Sequence, residues 1–270
     1  MNAAEGLGAL DAVVARKRAE VELLRARAED LWATSSSMPA SRGFRAALHD
    51  GSVIAEMKRR SPSGGTLQPD LDPPAMAQAY ARAGAAAISV LTDGPDFGGS
   101  LEDLAAARAR VTQPVLCKDL TVDALQIAQA RVAGADAVLL IVSILGDLGL
   151  KQCLAAAAGA GLDALVEVHD EHEAALALDH GASLVGINNR DLRSLTTDLA
   201  TFSRLRPLLP ENITIVAESG VRTADDCARM VEQGATAVLV GEALMRAPDA
   251  HSLCAAMVDA ARRAATSGRR

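Results

Sequence analysis

The apolar positions of this chain follow two periods, and the change from one to the other divides it in two. From Leu7 to Trp32, the residues Leu7, Leu10, Val14, Val21, Leu24, Ala28 and Leu31 recur at intervals of three, four and seven, with Arg, Lys and Glu between them. That spacing predicts one amphipathic helix. The polar stretch from Thr34 to Ser41, which contains Pro39, reads as a linker, and Ser41 to His49 reads as a second short helix capped by Ser41. About fifty residues thus precede the first strand.

Beyond Ser52 the pattern repeats itself. Gly84, Gly134, Gly161, Gly181 and Gly234 each follow a helical segment and open a short loop into a buried apolar run. Three more runs, Val53 to Met57, Val115 to Lys118 and Ile213 to Glu218, fill the gaps. The eight runs start near 53, 86, 114, 137, 163, 183, 213 and 236, seven intervals of about 26 residues. That is the length of strand, loop, helix and loop in a closed (β/α)8 barrel. An open doubly wound sheet is the alternative, but no Gly-x-Gly-x-x-Gly follows the first strand. The expected fold is therefore α/β, a (β/α)8 TIM barrel over residues 51–263. A helical extension, 1–50, is expected over the barrel mouth, and residues 264–270 form a disordered tail.

Composition agrees and adds exclusions. Of 270 residues, 50% are hydrophobic but only 2% aromatic, so the core is built of Ala, Val, Leu and Ile, as layered parallel strands require. A net charge of -7 argues against a nucleic-acid partner, which calls for a basic surface. The longest apolar run, Ala137 to Leu145, is too short to cross a membrane. Cys117, Cys153, Cys227 and Cys254 form no Cys-x-x-Cys pair, and the first residues lack a secretory pattern, so the expected location is the cytoplasm.

In such a barrel, chemistry sits at the C-terminal ends of the strands. Five strands end in polar side chains, and the period of two assigns their faces. On strand 1, Ile54, Glu56 and Lys58 share a face, while Leu116 pairs with Lys118, Leu165 with Glu167, Gly186 with Asn188 and Val216 with Glu218. If these sets face the axis, two lysines, three glutamates and an asparagine converge on one mouth. Leu91 and Leu139 face inward from strands 2 and 4, and Phe97 follows in a loop, giving the pocket an apolar side suited to an aromatic ring. Gly220 and Gly241 end strands 7 and 8 before helical segments, which is where this fold binds phosphate. Three other signals carry less. The cluster His169-Asp170-Glu171-His172 lacks zinc spacing, and Asp170 suits a helix cap. Cys117 faces the helices, and Arg59 and Arg60 read as solvated. No metal is expected.

The segments IAEMKRRSPS (54–63), KD (118–119), VEV (166–168), GINNRDL (186–192) and AESG (217–220) together resemble the indole-3-glycerol phosphate synthase family of tryptophan biosynthesis. The resemblance spans nearly the whole chain, including the N-terminal extension. It implies conversion of 1-(2-carboxyphenylamino)-1-deoxyribulose 5-phosphate to indole-3-glycerol phosphate, with loss of carbon dioxide and water and without cofactor or metal. It also implies that Lys118 is the general acid in ring closure and that Glu167 assists dehydration as acid or base. Lys58 would bind substrate anions, Glu56 would hold Lys58 and Lys118, and Asn188 and Glu218 would orient the sugar hydroxyls. Ser61, Ser219, Gly220 and Gly241 would line the substrate or its phosphate, with Arg190 near the mouth. Two positions depart from the family pattern: Leu120 stands where phenylalanine is usual, and Glu242 where serine is frequent, so the Glu242 carboxylate must turn away from the phosphate. The expected partner is this small molecule; the chain is expected to be a monomer, with weak association with other tryptophan-pathway enzymes as an open possibility. A phosphosugar isomerase or aldolase using Lys118 as a Schiff base, and a non-catalytic phosphosugar-binding protein, are the alternatives.

Overall fold

In the computed structural model, which describes residues 11–192 and 194–267, eight parallel strands close on themselves. They are β1 (Ser52–Met57), β2 (Ala87–Leu91), β3 (Val115–Lys118), β4 (Ala137–Ile141), β5 (Asp163–Val168), β6 (Leu184–Asn188), β7 (Thr214–Glu218) and β8 (Ala237–Val240). Each begins within one residue of its expected start. Closure is made by β1, whose Ser52 pairs with Ala237 of β8 while its Ile54 pairs with Ala87 of β2.

Alternation along the strands sorts the core into two layers. Ile54, Leu116, Leu139, Leu165, Leu184, Val216 and Leu239 fill the barrel interior. Their neighbours Val53, Ala55, Val115, Val138, Val166, Val185 and Val238 pack outward against the helices. The repeated glycines end helices as the sequence implied: Gly84 and Gly134 have φ of 90° and 96°, a region that costs a side chain about 1 kcal/mol. Helix starts carry side-chain caps, among them Asp123, Asp170 and Thr223, each worth about 1 kcal/mol.

The N-terminal extension takes a different path from the expected one. Leu7 and Leu10 lie outside the described residues. Helix α1 (Asp11–Leu24) is separated by a 3-10 turn at Arg25–Arg27 from α2 (Ala28–Ser37), so helix continues past Trp32 into the stretch read as a linker. The serines permit this because Ser36 and Ser37 donate back to the carbonyls of Trp32 and Thr34, at 2.9 and 2.8 Å. Ser41 caps no helix. Its hydroxyl donates to the Asp136 carbonyl at 3.3 Å, and only one 3-10 turn, Arg45–Ala47, follows. The reason lies beneath the barrel: the backbone N–H groups of Arg42 and Arg45 are held by Asp136 and Asp163, at 2.9 and 2.8 Å. Phe44 and Leu48 thereby enter the base of the barrel against Ile54, Ala137 and Leu184. Helix α1 reaches the opposite end. There Lys17 pairs with Asp93 and Asp119, and Arg16 with Asp93 and Asp96, at 2.6–3.2 Å.

At the other terminus the last helix, Ala250–Ser267, includes residues expected to be frayed. Ala264 is buried against the outer layer, which holds the helix past residue 263; residues 268–270 lie outside the described residues. Among the described residues no helix is long and apolar enough to cross a membrane.

Candidate active site

The C-terminal ends of the strands surround a cavity of about 550 Å³. Glu56, Lys58, Lys118, Glu167, Asn188 and Glu218 all line it, as do Ser61, Leu91, Phe97, Leu139, Arg190, Ser219, Gly220, Gly241 and Glu242. Every residue singled out in the sequence therefore meets in one place. Leu120, Ile141 and Leu192 join Leu91, Phe97 and Leu139 on the apolar side. The usual aromatic wall at position 120 is thus aliphatic, and the wall remains closed, with Leu120 only 6% exposed.

The charged floor follows from strand parity. Glu56 forms an ion pair with Lys58, two residues on and on the same face, and takes a long hydrogen bond of 3.4 Å from Ser89. Burial disfavours the Glu56 carboxylate, but Lys58 and Lys118 outweigh it and hold the group below the usual range. Lys118 Nζ lies 3.4 Å from Glu167 Oε2 and 3.7 Å from Glu218 Oε2. These two carboxylates, rather than Glu56, are its direct partners, and Glu56 acts on Lys118 only through charge. Burial opposes the Lys118 ammonium, yet Glu167, Glu218 and Glu56 together raise its pKa above the ordinary value.

The two carboxylates beside Lys118 differ. Glu167 Oε1 accepts from Asn188 Nδ2 at 2.9 Å and faces His169 Nε2 at 3.2 Å. Burial pushes Glu167 up, but Lys118, His169 and Asn188 hold it well below the usual carboxylate range. Burial and the Glu167 charge instead push Glu218 up to about 8. Its Oε1 has no hydrogen-bond partner and lies so close to Gly186 that a Cβ there would sit 2.0 Å away. Asn188 also accepts the Arg190 N–H at 3.0 Å. One protein bond at each end fixes the orientation of its amide and ties it to Glu167, and leaves a second N–H and a second oxygen lone pair uncommitted.

Around the rim, loops after β1, β6, β7 and β8 are tied together. Ser61 Oγ accepts the Gly64 N–H at 3.0 Å, and Arg246 donates to the Gly64 carbonyl at 2.7 Å. Glu242 accepts from Arg246 at 3.0 Å and lies 3.7 Å from Arg190, which also bonds Ser63. Its carboxylate is thus neutralised by two arginines at the rim of the cavity. Ser219 and Gly220 are consecutive left-handed residues, φ 63° and 83°, and Asn189 pins their loop by donating to the carbonyls of Glu218 and Ser219. A side chain at Ser219 makes this strained backbone, of the kind kept at functional sites. At Gly241 a Cβ would lie 2.4 Å from Glu56 Oε1 and 3.1 Å from Lys58 Nζ. Glycine there makes room for the ion pair, so a substitution would disturb more than an anion.

The set-aside signals resolve physically. Asp170 caps the helix Glu171–Asp179, accepting from Glu173 N. Among the described residues no cluster of His, Cys, Asp and Glu is arranged to hold a metal ion. Cys117 is buried, and burial with the nearby Asp119 pushes its thiol up to about 12. Arg59 is not merely solvated: it grips Asp103 with two bonds and reaches the carbonyls of Gly98 and Leu71. Sequence reasoning missed Arg246, set His169 aside with its cluster, and gave Gly186 a face but no role. His169 and Arg246 each have a carboxylate four residues away, Glu173 and Glu242, a helical spacing that could have flagged them.

Comparison with known proteins agrees with this geometry. The family model described as indole-3-glycerol phosphate synthase matches residues 10–257. The indole-3-glycerol phosphate synthase of Chlorobium phaeovibrioides is 47% identical over 253 residues, 90% of this chain and 97% of that protein. That of Nocardioides sp. is 52% identical over 226 residues, covering 84% and 85%. Among solved structures, 3-hexulose-6-phosphate synthase from Salmonella typhimurium superimposes with a TM-score of 0.64 at 15% identity, covering 78% of this chain and 99% of that one, a likeness of fold alone. Matched almost from end to end at about half identity, the chain belongs to the indole-3-glycerol phosphate synthase family.

Proposed function

We propose that the cavity performs its family's reaction with Lys118 as general acid and Glu167 as the acid or base of the dehydration. The chain is a carboxy-lyase of tryptophan biosynthesis acting on a small-molecule substrate. In the first step the ring carbon bearing the carboxylate bonds to the ribulose carbonyl carbon, and the carbonyl oxygen takes the Lys118 proton. Carbon dioxide then leaves and returns its electron pair to the ring. The new hydroxyl departs as water with a proton, and a base removes a proton from the carbon beside nitrogen to complete the indole. The observation that carries this reading is the Lys118 ammonium held between Glu167 and Glu218 on the floor of the cavity. A lysine kept charged by carboxylates is an acid, and a poor Schiff-base nucleophile.

The apolar wall of Leu91, Phe97 and Leu139 suits the anilino ring. The glycine loops at Gly220 and Gly241, with Ser61 and Ser219, suit the phosphate, with Lys58 and Arg190 as nearby cations. Helix α1 is tied to the loops after β2 and β3 beside the mouth through Arg16 and Lys17. A monomer in the cytoplasm completes the reading, supported by four free, buried cysteines. The test is to supply the carboxyphenylamino-deoxyribulose phosphate and follow indole fluorescence. Turnover unaffected by a chelator is expected; folded protein that makes no indole, or that a chelator silences, would defeat the reading.

A further inference from the structure

The floor of the cavity holds two buried carboxylates around one ammonium, and the ammonium scarcely chooses between them. Lys118 Nζ is 3.4 Å from one and 3.7 Å from the other, a small difference in Coulomb energy. Two carboxylates sharing a desolvated site do not both ionise freely, so their other contacts decide which keeps a proton. Glu167 Oε1 has the Asn188 amide at 2.9 Å and His169 Nε2 at 3.2 Å. Glu218 Oε1, in the space left by Gly186, has no hydrogen-bond partner.

His169 is itself anchored. Its backbone N–H and its ring Nδ1 both meet Glu173 Oε2, at 2.8 and 2.9 Å, and the Glu173 N–H is held by the capping Asp170 at 2.8 Å. With a carboxylate on each ring nitrogen, the imidazole favours its charged form. Its Nε2 has no aligned hydrogen-bond acceptor, so the contact with Glu167 is one of charge. Glu167 is faced by Lys118 from β3, by Glu218 from β7 and by His169 just beyond the end of β5, and Glu56 of β1 acts on Glu218 through charge. Among the described residues, His169 forms ion contacts with Glu167 and Glu173.

We propose that His169, anchored by Glu173, is a positioning residue that assigns the shared proton of the Glu167 and Glu218 pair to Glu218. Glu167 is then the ionised base, and Glu218 is a carboxylic acid that can donate a hydrogen bond to a ligand oxygen. The inference rests on the role given to Glu167 above and deepens it. The titrations run the same way: Glu218 is pushed up to about 8 and His169 to about 10, while Glu167 is held low.

The test uses ligand-free protein carrying carbon-13 in its glutamate carboxyls, with the two signals assigned through Glu167→Gln and Glu218→Gln. In the wild type the Glu218 signal alone is expected to shift through a midpoint near pH 8, with Glu167 staying at its ionised position. In His169→Gln the shift is expected to be divided between the two signals. Glu173→Gln, which keeps an acceptor for the His169 N–H, should move in the same direction by less, and serves if His169→Gln fails to fold. The proposal is overturned if Glu167 carries the shift in the wild type, or if neither variant transfers any of it. Indole formation by the same preparation reads the function separately: an active enzyme with its proton on Glu167 sinks this inference and leaves the function standing.

Discussion

The two ends of the barrel hold buried carboxylates in opposite ways. At the base, Asp136 is fully enclosed and both its oxygens are engaged. Oδ1 accepts from the Arg42 N–H and from Arg108, and Oδ2 accepts from the Val115 N–H, all at 2.9–3.0 Å. At the mouth, Glu218 is equally buried, yet its Oε1 has no hydrogen-bond partner and the nearby Glu167 opposes its charge. Burying a polar group costs about 1–3 kcal/mol unless it is bonded. The base meets that cost with extension and strand backbone, and the mouth leaves it unmet where a ligand would bind. Asp136, fully engaged, serves the fold, whereas Glu218 keeps an unpartnered oxygen beside the cavity that Glu56 and Glu167, both engaged, also line.

The largest effect expected from breaking this contrast is at Lys118. Lys118→Met and Glu167→Gln should each lower kcat by about 10²-fold or more while KM changes little, since a positioned acid or base acts in the transition state. Steady-state kinetics with melting curves check this, and near-normal kcat in a folded variant would remove that residue from its role. At the base the converse holds. Asp136→Ala strands the Arg108 guanidinium and two N–H groups, so denaturant unfolding should show a loss on the order of 3 kcal/mol. The kinetics of the molecules that remain folded should be unchanged; a selective fall in kcat would dissolve the distinction between the two ends.

Gly241 stands between these extremes. Because a Cβ there meets Glu56 and Lys58, Gly241→Ala should weaken phosphorylated ligands and also lower kcat, by about tenfold or more if the ion pair is displaced. Binding of a dephosphorylated product analogue should fall as well, measured by calorimetry. An effect confined to phosphorylated ligands would show that the ion pair yields without cost.

How much of this was legible beforehand follows from the same physics. Period-two alternation fixes which side of a strand faces inward, so Lys118, Glu167, Asn188 and Glu218 could be put in one cavity from spacing alone. The recurrent helix-ending glycine likewise marked five of the eight strands. Alternation says nothing about which inward groups touch. Thus Glu56 was given Lys118 as a partner, whereas Glu167 and Glu218 take that place. Nor does a pattern of side chains reveal a role that consists of lacking one, as at Gly186, whose empty space admits Glu218. The extension misled for a related reason. Phe44 finds its partners under the barrel, and no local period encodes a contact with Ala137 and Leu184 so distant in sequence.

The smallest effect, and the one that sharpens the comparison most, concerns stability at Glu218. Its carboxyl titrates at about 8 in the fold, against an ordinary value of 4.5. Between those values the unfolded chain has released the proton and the folded chain has kept it. Stability therefore falls as pH rises across that window and levels off above it. Glutamine copies the neutral acid and cannot ionise, so Glu218→Gln should lose this slope. Its melting temperature should match the wild type near about pH 5 and exceed it by a few degrees above about pH 8. Turnover should fall at the same time, the exchange of stability for activity expected where a site keeps an unsatisfied group for its ligand. Melting curves across the pH range decide it: a variant no more stable at high pH than at low, relative to the wild type, would mean that Glu218 is as well satisfied as Asp136 and that the two ends do not differ in kind.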